Sequence, residues 1–284
     1  MHVDIDSLVK ANVKIYSVPT IYTSLTNSIN DPRSSITAIS NIISEDPGLT
    51  ARMLKLANSP LFAYPSKIET ISQAVLVIGT SQIRDLALAT SVISLFKGIP
   101  RGLVSMETFW QHSVACGITA RIIAGYQRKP NIERFFTAGI MHDIGRLIII
   151  SEIPEQYKEI MRNCKEGGKC LFSGERDNMG FDHADVGGSL LTEWKLPSNL
   201  VELVACHHNP EMAAQHSREA AVLNIADIIT HALQMGNSGE SLVPPLAEST
   251  WDQLKLPLGM LPYIVEQSIQ QFDIVVRLIL PNME

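Results

Sequence analysis

The chain has 284 residues, of which 45% are hydrophobic and 18% charged, with a formal net charge of −6. That composition suits a soluble globular protein with ample material for a core, in one large domain or two modest ones. The acidic balance, with no basic run beyond Arg128-Lys129, argues against nucleic acid, and no apolar stretch approaches the roughly 18 residues needed to span a bilayer.

The first residues, Met1 to Asp6, lack the basic start and apolar core of a signal peptide, so no leader is expected. Cys116, Cys164, Cys170 and Cys206 show no C-x-x-C spacing, and free thiols in a reducing cytoplasm are the expectation. In chain order, Ile36, Ile39 and Ile43 form a helical stripe after Asp31-Pro32, with Ser34 or Ser35 as N-cap. Asp46-Pro47-Gly48 breaks it, Leu49, Met53, Leu56 and Ala57 begin another, and Asn58-Ser59-Pro60 closes that one. Ile71, Ala74, Val75 and Ile78 predict a short helix ended by Gly79, and Ile83, Leu86, Ala87, Thr90 and Ile93 repeat the period. Gly98-Ile-Pro-Arg-Gly102 is the expected boundary between an N-terminal lobe, 1–102, and a C-terminal lobe, 103–284.

Further helices are expected near 106–125, 132–151 and 154–165. Glu166–Asp182, with four glycines, reads as a loop. Helices are expected again near 183–194, 198–208, 217–234 and 260–279, with Gly236–Thr250 as a mobile insertion. Few segments alternate as strands do, so the fold class is all-α.

The most informative local feature is the His142-Asp143 doublet inside the apolar stretch from Thr137 to Arg146. Such a pair must be hydrogen-bonded, ion-paired or metal-bound, because an unpaired buried carboxylate is expensive. Other candidates converge on it. His207 follows Leu200, Leu203 and Val204 at i, i+3, i+4, i+7 and should face inward, with His208 about 100° further round at the rim. Asp227 holds the same relation to Ala220, Leu223 and Asn224. His183 opens a helix after a glycine-rich segment, and His112 sits mid-helix with Cys116 one turn on. Singly, each has a plain reading: a hydrogen-bonded core histidine, Asp182 and Asp185 as caps, Asp227 paired with His231 or Arg218. Together they suit a dinuclear centre of imidazole and carboxylate ligands.

The pattern of a first His, an HD pair, two further His and a closing Asp resembles the HD superfamily. Upstream, Ile43 to Pro60 (ISEDPGLTARMLKLANSP), Ile68 to Ala74 leading to Ile78-Gly79, Phe109 to Ser113, Asp182 to Gly187 and Trp194 to Pro197 resemble the HDOD domain, a regulatory relative of the HD phosphohydrolases. The resemblance implies a two-lobed helical bundle with an HD-like C-terminal lobe. It implies His112, His142, Asp143 and Asp227 as ligands, with His183 and His207 or His208 for a second ion. Many HDOD proteins lack several of these, and this chain has a suitable residue at each. His207-His208 continues into Asn209-Pro-Glu-Met212 where the cyclic-di-GMP-degrading branch has Gly-Tyr-Pro, and Arg146 replaces that branch's lysine, so that activity is not expected.

Two functions follow from the resemblance. One is a bacterial signal-output module, whose input comes from a separate signalling protein or a small phosphorylated ligand. The other is metal-dependent phosphoester hydrolysis, with Asp143 bridging two divalent ions of iron, manganese, zinc or nickel and Arg146 clamping a phosphate.

Overall fold

The computed structural model describes residues 4–13, 17–62, 64–96 and 102–280. Its helices in the N-terminal part are α1 (Ile5–Val13), α2 (Thr20–Asn30), α3 (Ile36–Ser44), α4 (Pro47–Ala57), α5 (Ile71–Ile78) and α6 (Thr80–Leu95). Then come α7 (Met106–Tyr126), α8 (Glu133–Met141), α9 (Ile144–Glu152), α10 (Pro154–Gly167) and α11 (Leu171–Met179). The series ends with α12 (His183–Glu193), α13 (Ser198–Ala205), α14 (Ser217–Ala232), α15 (Glu248–Leu254) and α16 (Leu261–Ile279). The fold is all-α, with no strand among the described residues. No single helix among them is long and apolar enough to cross a membrane. The expected boundary at Gly98–Gly102 lies, apart from Gly102, outside the described residues.

Local chemistry sets the helix limits. Ser35 accepts from Ala38 N to cap α3, and Asp46 accepts from Leu49 N to cap α4 with Pro47 in its first turn. Thr70 and Gln73 form a capping box on α5, as Asp182 and Asp185 do on α12.

At the centre runs α7, buried along almost its whole length. It packs against α8, α14 and α16, while α6 covers α8, and α12 lies against α9, α13 and α1. Close approach depends on missing side chains. A Cβ on Gly139 would lie 2.3 Å from Gly117 Cα, and one on Gly145 would lie 2.0 Å from His183 O. The second contact matters for function, because it lets α9 press against the first turn of α12.

Three expectations are corrected. The helix expected over 132–151 is two helices, with His142 and Asp143 at the break; Asp143 has φ −98° and ψ 4°, which is not helical. Glu166–Asp182 is not a loop. Gly168 (φ 61°) and Gly180 (φ 84°) are the left-handed C-caps of α10 and α11, and Gly174 lets α11 lie against Cys164. Gly236–Thr250 is irregular as far as Ala247, but it is no free insertion: Ser238 and Glu240 are buried, and α15 begins within it.

Gly145→Ala is expected to lower the unfolding free energy by about 2 kcal/mol through overpacking. Gly125→Ala, where the added Cβ meets nothing within 4 Å, should leave it unchanged or slightly raised. Chemical denaturation of both variants checks the contrast, and equal stability of the two would contradict it.

Candidate metal centre

Five segments deliver the candidate side chains to one buried place. His112 comes from the middle of α7, His142 and Asp143 from the α8–α9 break, His183 from the first residue of α12, and Asp227 from the middle of α14. His207 and His208 lie in the turn after α13, not on its helical stripe, because the helix ends at Ala205. All seven expected residues therefore meet. His112, His142, His183 and His207 are fully buried, Asp143 and Asp227 nearly so, and His208 half-buried.

The donors fall into two groups that share Asp143. In the first, His112 Nε2 is 3.0 Å from Asp227 Oδ1, and His142 Nε2 is 3.4 Å from Asp143 Oδ2 and 3.5 Å from Asp227 Oδ1. In the second, His183 Nε2 is 2.9 Å from Asp143 Oδ1 and 3.0 Å from His208 Nε2, and a donor atom of His207 lies within 4.8 Å of both histidines. Ligands about 2.1 Å from one ion stand roughly 3.0 Å apart in an octahedron and 3.4 Å apart in a tetrahedron. The separations of 2.9–3.5 Å match those spacings, and His112 Nε2 stands farther, 3.9 Å, from Asp143 Oδ2.

Two ring orientations bear on whether ions fit. His142 Nδ1 donates to Gly139 O at 2.7 Å, and His207 Nδ1 donates to Val204 O at 2.7 Å. Each backbone bond turns Nε2 into the site, and neither Nε2 has a hydrogen-bond partner. A buried polar atom without a partner is costly, and this arrangement is the one by which outer hydrogen bonds aim a histidine at a metal.

Electrostatics agree. Burial opposes ionisation of Asp143 and Asp227, yet Arg146, His142 and His183 around one and His231, His112 and His142 around the other hold both carboxyls well below the usual range. Burial pulls His142 down, but Asp143 and Asp227 outweigh it and raise its pKa to about 10. Burial and Arg146 pull His183 down, and Glu175 and Asp143 lift it to about 9. His112 and His207 drop to about 4, through burial and neighbouring imidazoles. The site thus draws positive charge to one point in each donor group.

A surrounding layer holds these groups in place. Glu175 on α11 accepts from His183 Nδ1 at 2.6 Å, His183 N at 2.9 Å and Tyr157 Oη at 2.5 Å. Arg146 Nη1 donates to Ser238 Oγ at 2.7 Å and Ser238 O at 3.1 Å, and lies 3.4 Å from Asp143 Oδ2. Its Nη2 is 3.2 Å from both ring nitrogens of His183. The Ser238 segment is latched on either side: Asn237 N donates to Thr108 O, and Glu240 Oε2 accepts from Leu171 N. The ring of His208 stacks on Phe172 at 4.4 Å.

Glu175 and Ser238 are absent from the sequence reading. The paired glycines 168 and 180 around Leu171, Phe172 and Met179 were the available signal for α11. Nothing local marks Ser238.

Residues 15–210 match the profile of the HDOD domain. The chain belongs to the HDOD family. The HDOD match ends before Asp227. In fold, the chain is similar to the crystal structure of an HDOD domain protein of unknown function from Geobacter sulfurreducens, with a TM-score of 0.76 and 23% identity, over 95% of this chain and 96% of that one. A provisionally assigned phosphohydrolase from Shewanella amazonensis SB2B gives a TM-score of 0.74 and 24% identity, over 96% of this chain and 98% of that one. An uncharacterised protein of Treponema pallidum is 24% identical over 200 residues, 69% of this chain; the match spans only 38% of that relative's length.

Glu175→Ala removes the carboxylate that meets His183, Tyr157 and the Arg146 side of the site. It is expected to cost about 3 kcal/mol of unfolding free energy in metal-free protein, as breaking buried charge pairs does. Denaturant titration checks this, and a loss below about 1 kcal/mol would contradict the assigned network.

Proposed function

We propose that this HDOD chain is a signal-transduction regulatory module that encloses a dinuclear centre for divalent transition metal ions. The observation that carries the reading is the pair of Nε2 atoms without a hydrogen-bond partner, on His142 and His207, buried beside an aspartate whose two oxygens face different donor groups. His112, His142, Asp143 and Asp227 would hold one ion, and His183, His207 and His208 the other with Asp143 shared. Imidazole and carboxylate donors suit iron, manganese, zinc or nickel over calcium.

Closure favours regulation over turnover. Every donor except His208 is buried, and Arg146, the cation beside Asp143, is engaged by Ser238. On this reading the ions tie α7, the α8–α9 break, α12 and α14 into one unit, and a signalling protein or a small phosphorylated ligand reads or alters its state.

A phosphohydrolase is the second reading, favoured by the bridging position of Asp143. Bound metal ions supply a hydroxide near neutral pH and neutralise phosphoryl charge. Asp143 would position both donor groups, and Arg146 would have to leave Ser238 to meet a phosphate.

Protein purified without a histidine tag or chelator is expected to contain about two equivalents of transition metal, and His142→Ala and Asp143→Ala fewer than one. None of the three is expected to hydrolyse bis(p-nitrophenyl) phosphate above a free-metal blank. Folded, metal-free protein that takes up no added metal would overturn the centre. Hydrolysis lost in both variants would move the assignment to the enzyme.

A further inference from the structure

One imidazole at the site is left over once the two donor groups are filled. His231 stands one helical turn after Asp227 on α14, with Nε2 3.3 Å from Asp227 Oδ1. Its ring lies against that of His112, with centroids 4.3 Å apart. Donor atoms of His112, Asp227 and His231 all fall within 4.8 Å of one another. The i, i+4 spacing makes the approach to Asp227 a direct consequence of the helix.

The crowding at Asp227 Oδ1 is informative. Three imidazole nitrogens face this single oxygen: His112 Nε2 at 3.0 Å, His231 Nε2 at 3.3 Å and His142 Nε2 at 3.5 Å. A carboxylate oxygen has two lone pairs to offer donors. His142 has turned its Nε2 this way, because its Nδ1 already donates to Gly139 O, and that Nε2 has no hydrogen-bond partner. Hydrogen bonding within the cluster leaves that nitrogen without a well-directed partner. Separations of 3.0 to 3.5 Å are those of neighbouring ligands around one ion.

We propose that His231 is a further protein ligand of the ion held by His112, His142, Asp143 and Asp227, which would make that site five-coordinate. The inference rests on the metal centre of the preceding subsection and adds a residue to it. Three imidazoles and two carboxylates also strengthen the preference for transition metals over calcium and magnesium. The side chain of His231 is 9% exposed against 0% for His112, so it forms the outer edge of the group and is the member most easily replaced without disturbing the core.

The test is cobalt(II) titration of metal-free protein, read by visible absorption and by bound-metal stoichiometry. It compares the wild type, His231→Ala, His231→Gln and, as a control away from the site, His216→Ala. The wild type and the control should bind two equivalents with the same spectrum. Both His231 variants should bind one of the two ions about 10- to 100-fold more weakly, with a changed ligand-field spectrum, in a metal-free form that still unfolds cooperatively. Wild-type affinity and spectrum in both variants would overturn the proposal while leaving the centre intact. Recovery by Gln, which can still donate to Asp227, with loss in Ala would also overturn it, by showing that His231 only orients the carboxylate. A wild type that binds no cobalt would overturn both this proposal and the centre.

Discussion

Asp143 carries a negative charge in the interior, and each of its oxygens has a separate set of partners. Oδ2 faces His142 and the guanidinium of Arg146, and Oδ1 faces His183. A buried carboxylate is tolerable only when it is surrounded by compensating groups. That need brings three parts of the chain to Asp143, α7 through His112, α9 through Arg146 and α12 through His183, while α14 joins through Asp227, a second carboxylate that shares His112 and His142 with it. The core is built around a charge, and its apolar packing holds the charge's partners at fixed range.

The backbone is shaped to permit this. A continuous helix over 132–151 would carry His142 and Asp143 about 100° apart around its axis. The break between α8 and α9 instead lets both aim at one point. Gly145 then allows the α12 N-terminus to approach until His183 reaches Asp143. Backbone carbonyls complete the orientation, since Gly139 O and Val204 O each turn a histidine by accepting a hydrogen bond from its Nδ1. The Ser238 segment covers the place from outside, latched to α7 and α11. Rigid positioning and exclusion of solvent therefore arise from the same contacts.

Much of this was legible in the sequence. The apolar periods of α3 to α6, α13 and α14 identify an all-α fold. The seven expected site residues meet in space: Asp227 lay on an inward stripe, His183 beside a capping signal and the His142-Asp143 doublet in an apolar stretch, whereas His207 arrives from a turn and not from the stripe expected of it. What was missed has physical reasons. Periodicity registers an uninterrupted apolar run and not a break within it, so α8 and α9 read as one helix. Glycines 168, 174 and 180 suggested a loop, whereas two of them terminate helices and the third admits Cys164. Glu175 was hidden in that segment. Ser238 acts through a tertiary contact 92 residues away from Arg146, and no local pattern encodes such a contact. His231 was visible only as a helical partner of Asp227, since its approach to His112 depends on how α14 crosses α7.

Anomalous X-ray diffraction from crystals of metal-replete protein, collected at the absorption edge of the bound element, tests the central claim most directly. Two peaks about 3.5–4 Å apart are expected, in keeping with a dinuclear site. One should lie among His112, His142 and Asp227 and the other among His183, His207 and His208, with Asp143 between them. Metal-replete crystals with no peak inside this cluster, or with peaks only elsewhere on the chain, would contradict it.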